Sequence, residues 1–189
     1  MPLRIANAIA SQMGYAILNL DNDLRTNTGA MTLDASRARA LLNASHAAWC
    51  RADVEGVLAQ YVEDLTYWCN TGGADGLPLT IKGRDQLREF LQSITAVAES
   101  MSVTDYFRFE DGVARASVEC YIRHKRTGHV LAGSYRQVVT YRDGLIERVE
   151  EYHDAAKMAA FWRMIAGGEP LTGVGPYPEA ADTSGSSLE

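Results

Sequence analysis

In the run Val149-Glu150-Glu151-Tyr152-His153, Glu151 and His153 stand two residues apart. On an extended strand that spacing puts both side chains on one face, about 7 Å apart along the chain. A carboxylate and an imidazole so placed can pass a proton. The imidazole titrates near neutrality. A carboxylate enclosed by apolar groups has its anion disfavoured and its pKa raised, to ~6–7 in a water-poor site. Glu151 and His153 are therefore the candidate catalytic residues, Glu151 as acid or base and His153 as a proton shuttle or substrate-orienting group. The structural alternative is a glutamate in water at a sheet rim beside a histidine hydrogen-bonded at a strand end. Gln137, with one acceptor and two donor positions, is a candidate anchor for a ligand carbonyl or hydroxyl. Trp49, Tyr67 and Tyr135 are aromatic candidates for a pocket wall, although aromatic stripes are ordinarily core. Cys69, His124, Val139 and Val149 complete the candidate substrate-binding set.

Other chemistries lack their residues. The four histidines show no HExxH spacing, and Cys50, Cys69 and Cys120 form no CxxC, so no metal site is expected. The cysteines read as small buried hydrophobes in a reducing compartment. Neither GxGxxG nor a P-loop is present, and no cofactor is expected. His46, beside Ser45, reads as a surface histidine, and His124 as part of a solvated hairpin end. A net charge of -6 disfavours nucleic acid and anionic membrane surfaces as partners. No apolar run reaches membrane-spanning length, and no secretory signal is evident, so a cytoplasmic location is expected.

The elements that must position these residues follow from periodicity. With 189 residues, 47% of them hydrophobic, the chain is long enough for one real core. Asp34 is a good N-cap for a first helix carrying Leu41, Leu42, Ser45, Ala48 and Trp49 on one side. Arg51-Ala52-Asp53 breaks it, and Asp53 caps a second helix with Val54, Val57, Leu58 and Tyr61 as its stripe. Leu65 to Cys69 reads as a strand, 71–78 as a glycine-rich loop and 85–99 as a third helix. From Met101 the period becomes two, giving strands over 103–110, 113–125, 130–141 and 145–153. The turns Asp111-Gly112, Thr127-Gly128 and Asp143-Gly144 separate them. A short helix over 155–165 ends the pattern. Helices grouped before an antiparallel meander indicate an α+β fold. Residues 1–33 read as an arm or as sequence upstream of a start at Met31, 34–166 as the domain and 167–189 as a flexible tail.

Four stretches resemble the nuclear transport factor 2-like (SnoaL-like) superfamily. They are Ala52-Asp53-Val54-Glu55-Gly56-Val57-Leu58, Tyr61-Val62-Glu63-Asp64-Leu65, Ile81-Lys82-Gly83-Arg84-Asp85, and Gly144-Leu145-Ile146 with Glu151-Tyr152-His153-Asp154. Together they span roughly residues 34–166. The resemblance implies a cone: a curved antiparallel sheet with helices on its concave face and a pocket at its mouth. Alternation then turns Val118, Cys120, Ile122 and His124, Tyr135, Gln137, Val139 and Tyr141, and Val149, Glu151 and His153 inward. Glu119, Tyr121, Arg123, Arg136 and Arg148 face outward, on the face through which such proteins dimerise.

The superfamily includes polyketide cyclases, ketosteroid isomerase, limonene-epoxide hydrolase and scytalone dehydratase. The isomerase positions fall on Ser45, Cys69 and Gln137, none of which matches. The epoxide-hydrolase aspartate falls on Glu151, but its Arg-x-Asp partner falls in Val118-Glu119-Cys120. His124 with His153 is similar to the histidine pair of the dehydratase. Leu65-Thr66-Tyr67-Trp68 resembles the largely structural small subunit of ring-hydroxylating dioxygenases. The resemblance thus implies a pocket for a small, mostly apolar, oxygenated molecule, with cofactor-free isomerase, cyclase, dehydratase or epoxide-hydrolase chemistry through Glu151. Its alternative is a non-catalytic ligand-binding or assembly member, since one fold hosts many functions.

Overall fold

A computed structural model describes residues 33–167. The arm and tail expected over 1–33 and 167–189 lie almost wholly outside the described residues. Helix α1 (Ala35–Cys50) starts where Asp34 accepts the Arg37 N–H, and α2 (Val54–Leu58) where Asp53 accepts the Gly56 N–H at 2.8 Å. Each cap satisfies a backbone donor that a helix start leaves unpaired. Between the helices Ala52 takes a positive φ of 56°, which ends α1.

Strand β1 (Tyr61–Cys69) is followed by β2 (Leu79–Lys82), helix α3 (Gly83–Val97), the strands β3 (Ala98–Glu110), β4 (Val113–His124), β5 (Val130–Arg142) and β6 (Leu145–Tyr152), and helix α4 (Ala155–Gly167). The six strands form one curved, open sheet in the order β2-β1-β6-β5-β4-β3. The meander β3 to β6 is antiparallel throughout. The expected all-antiparallel sheet is broken at one junction: β1 pairs parallel to β6, aligning Cys69 with Glu151. A parallel pair needs a long crossover, and here the whole of α3 and the meander provides it.

Two elements differ from expectation. β2 lies just past the segment read as loop; it is four residues long and buries only Ile81, so its alternation is too short to stand out. β3 begins at Ala98 rather than Val103. Its inward residues Ala98, Ser100, Ser102 and Thr104 are buried but small and mostly polar, so the alternation is in burial and not in hydrophobicity.

The core lies between the concave face and helices α1, α2 and α3. Leu42, Leu58, Leu65, Leu87, Val118, Val139, Ile146 and Val149 are all at most 2% exposed. Burying one such side chain contributes about 1.5–3 kcal/mol. A smaller cluster of Leu131, Met158 and Phe161 seats α4 on the sheet. Polar ties fix the frame: Arg84 donates to the Tyr61 carbonyl and pairs with Glu63, while Arg142 pairs with Asp64. Together with the Asp53 cap, these ties give charged residues of three of the four motif stretches a role in folding. No described helix is long and apolar enough to cross a membrane.

Candidate functional site

The concave face encloses a cavity of about 120 Å³. Glu151 is its electrostatic centre, with its side chain 13% exposed. Tyr67 on β1 donates to Glu151 Oε2 at 2.8 Å, and His153 Nε2 lies 2.9 Å from the same oxygen. Gln137 on β5 donates from Nε2 to Oε1 at 2.8 Å. The register makes this possible, because Gln137 pairs with Glu151 across β5–β6 and Tyr67 is on the neighbouring β1. A carboxylate has about four acceptor positions. Three are occupied, and the position left free is on Oε1.

These donors reverse the acidity expected for Glu151. Burial pushes its pKa up, but His153, Tyr67 and Gln137 together hold it below the ordinary glutamate range. Desolvation disfavours an anion only while no donor replaces the lost water. Glu151 is therefore an ionised carboxylate at neutral pH, not an acid with a raised pKa. Burial lowers the pKa of His153, but hydrogen bonding to the Cys69 sulfur and to Glu151 pushes it up to about 9. The site holds an anion and a cation side by side.

His153 lies just past β6, and its backbone is held by Asn70. The Asn70 side chain donates to the His153 carbonyl and accepts its N–H, both at 2.9 Å, while the Asn70 N–H bonds to the Glu151 carbonyl at 3.0 Å. One amide side chain thus continues the β1–β6 ladder by a step. The Tyr135 ring stacks on the imidazole, with centroids 4.2 Å apart and planes at 21°.

Trp49, Tyr67, Cys69, Tyr135 and Gln137 line the cavity with Glu151 and His153. Three other candidates do not. Val139 and Val149 face the same way as Gln137 and Glu151 but pair with each other one step along the sheet, sealed in the apolar core. His124 ends β4 and turns into its own hairpin, where its Nδ1 lies 2.7 Å from Thr127 Oγ1. It is 4% exposed, so the expected solvated end is an enclosed one, and it makes no pair with His153. Of the expected outward set, Arg123, Arg136 and Arg148 are exposed and Glu119 and Tyr121 half-buried.

His46 corrects the sequence reading most sharply. It is not a surface residue: it is 7% exposed and lines the cavity, with Nε2 3.1 Å from Gln137 Oε1 and Nδ1 3.1 Å from Thr104 Oγ1. Burial holds its pKa down to about 4, against the raising effects of Glu151 and Gln137. The signal was available, because Leu42, Ser45, His46 and Trp49 recur at i, i+3, i+4 and i+7 on one helical face. For Asn70 no sequence signal existed.

Donor atoms of Cys69, Glu151 and His153 all lie within 4.8 Å of one another. No spacing rule could have found this group, since Cys69 comes from another strand. Glu151 and His153 satisfy each other directly, and Cys69 donates to the Thr71 carbonyl at 3.0 Å.

Comparison with curated proteins finds no match. Among solved structures, a candidate polyketide cyclase from Xanthomonas campestris pv. campestris is 21% identical, with a TM-score of 0.58, covering 67% of this chain and 96% of that one. TerC co-crystallised with polyporic acid is 20% identical, with a TM-score of 0.60 over 67% of this chain and 98% of its own. A candidate isomerase from Bacillus subtilis is 17% identical, with a TM-score of 0.61 over 74% and 99%. These likenesses show the nuclear transport factor 2-like fold. The model of the SnoaL-like domain matches residues 42–149, more than half of the chain, and the chain belongs to that family.

Proposed function

We propose that the cavity binds a small, mostly apolar, oxygenated molecule and transfers a proton on it without a cofactor. Glu151 is the base and the protonated His153 stabilises the oxyanion that forms. The observation that carries this reading is the Glu151 carboxylate in the cavity wall, with three donors on it, one acceptor position free and His153 Nε2 at 2.9 Å. A fixed charge pair needs no reorganisation as charge develops, which is where electrostatic catalysis gains most. The cavity size limits the ligand. Ligand pockets usually run to about 300–1,000 Å³, whereas an engineered cavity of about 150 Å³ takes up benzene. At about 120 Å³ the space suits one small ring, and larger molecules require Trp162 and the other walls from α3 and α4 to move.

The reading is tested by incubating the protein with small cyclic ketones in D2O and following loss of the α-proton by NMR. Exchange is expected with the wild type and to fall by about 10²–10⁴ in Glu151→Gln, the usual contribution of general acid–base catalysis. Equal exchange in both proteins rules it out. One observation favours a second reading, binding without turnover: a carboxylate held below its ordinary pKa is a weak base. Saturable binding of the same ketones with no exchange would decide for it.

The remaining proposals concern context. The domain is taken as 34–166, in the cytoplasm, and as a homodimer through the outer sheet face. That face exposes Tyr152, its ring tilted at 56° against Trp68, beside Arg136 and Arg148. Sedimentation equilibrium of the wild type and Tyr152→Glu tests the dimer. A monomeric wild type removes it.

A further inference from the structure

We infer that His46 is a positioning residue for Glu151: a neutral ring with its proton on Nε2, it fixes the Gln137 amide so that its NH2 meets the carboxylate. The inference rests on the reading of Glu151 as the proton-handling group of the cavity.

The argument begins at the carboxylate. Gln137 Nε2 is 2.8 Å from Glu151 Oε1. Turning the amide over would set a carbonyl oxygen against a carboxylate oxygen, two acceptors with no proton between them. The Gln137 oxygen must therefore face the other way, and it lies 3.1 Å from His46 Nε2. An acceptor at that distance requires a proton on Nε2. A neutral imidazole has one donor and one acceptor, so Nδ1 is bare. Thr104 Oγ1 stands 3.1 Å from Nδ1 and supplies the donor. The proton positions follow in order: Thr104 donates to His46, His46 to Gln137, and Gln137 to Glu151.

Each member comes from a different element, β3, α1, β5 and β6. Thr104, His46 and Gln137 are 3%, 7% and 4% exposed, so bulk water reaches none of them and their hydrogen bonds are made to one another. A fully satisfied buried network specifies one arrangement, whereas a partly satisfied one is costly. Burial also keeps the ring neutral, as its pKa near 4 indicates. His46 therefore makes no direct contact with the carboxylate. It acts through Gln137, whose amide it holds against rotation, and so decides which Glu151 acceptor position stays open.

The test uses the full chain without ligand. Nitrogen-15 NMR of wild-type His46 between pH 6 and 8 is expected to show a neutral ring protonated on Nε2. A proton on Nδ1, or a charged ring, overturns the inference whatever the variants do. The Glu151 carboxyl is then titrated by carbon-13 NMR in the wild type, His46→Gln and His46→Leu. Glutamine can donate to Gln137 and accept from Thr104, and leucine can do neither. The Glu151 midpoint is expected to rise in His46→Leu by about one pH unit, a tenfold change in proton affinity, and to stay near the wild-type value in His46→Gln. The other titratable groups facing Glu151 are Tyr61, Tyr67 and Cys69 from β1, Cys120 from β4, Tyr135 from β5 and His153. None of them changes between the variants, and α3 and α4 bring only apolar or indole side chains to the cavity. A lower Tm in His46→Leu with an unmoved Glu151 midpoint would mean that His46 only packs, and overturns the inference. If His46→Leu fails to fold, a displaced midpoint in His46→Gln overturns it as well. The two readings fail separately. A shifted midpoint without ketone exchange keeps the positioning role and removes the proposed reaction. Exchange with an unmoved midpoint does the reverse.

Discussion

His153 Nε2 lies 2.9 Å from Glu151 Oε2, and each residue holds the other in its charged form. Burial opposes both charges, yet the Glu151 pKa is lowered and that of His153 is raised to about 9. The pair is 11–13% exposed, so water screens it little. Breaking one side of a buried ion pair is costly, because it strands the other charge.

It follows that Glu151→Gln changes His153 as well as the reaction. The amide keeps the shape but removes the negative charge. The His153 midpoint is expected to fall from about 9 toward its ordinary value near 6.5, read by proton NMR of the ring. A midpoint that stays near 9 would show that Cys69 alone sustains the shift.

Stability should peak near pH 6.5, because two buried histidines are shifted in opposite directions. Between about 4 and 6.5 the unfolded chain protonates His46 and the folded one does not, so stability rises with pH. His124, whose charged form is disfavoured by burial and then by Arg126 and His129, adds to that side. Between 6.5 and about 9 the folded chain keeps the His153 proton and the unfolded one has lost it, so stability falls. Glu151 contributes above its unfolded pKa and loses that contribution only in acid, as the pH falls through its lowered folded value. The His46 and His153 shifts are each worth on the order of 3 kcal/mol. Urea midpoints measured from pH 4 to 10 check this. His153→Gln should lose the alkaline decline, and a decline that persists in that variant would assign it to another group.

Asn70→Ala should loosen His153 without unfolding the domain. Two hydrogen bonds are lost, each worth about 0.5–1.5 kcal/mol net. The expected cost is therefore about 1–3 kcal/mol, with the His153 midpoint falling toward the ordinary range as the ring leaves Glu151. An unchanged His153 titration would show that the Tyr135 stack holds the ring by itself.

The frame was legible because its signals are local. Asp34 and Asp53 announce helix starts, and Asp111-Gly112 and Asp143-Gly144 each supply two positive φ values in a row, as tight hairpins require. Alternation correctly turned Gln137, Glu151 and His153 to one face. It could not say how deep each residue lies, so it grouped Val139 and Val149 with them. Nor could it foresee the acidity of Glu151, which depends on Tyr67 from a strand 84 residues away in sequence. His46 was misread from base rates for exposed histidines, although its helical spacing already placed it inward.

Phe161 and Trp162 are neighbours on α4, with ring centroids 5.2 Å apart, but substitution should separate them. Phe161 is 1% exposed and anchors the helix beside Leu131 and Met158. Truncating it to alanine should cost about 3–5 kcal/mol, as a large buried side chain does, and should release α4 from the sheet. Trp162 is only partly buried, lines the cavity and donates to Met158 Sδ at 3.2 Å. Its truncation removes wall rather than core. Trp162→Ala should therefore cost less than Phe161→Ala, about 1–3 kcal/mol by urea midpoint, within the usual range for a partly buried side chain. It should also bind two-ring ketones about tenfold more tightly while single-ring ketones change little, because only the larger ligand is limited by the wall at about 120 Å³. Isothermal titration with one- and two-ring ketones of matched polarity measures the contrast. Equal gains for both would place the limit on ligand size elsewhere, among the side chains of α3.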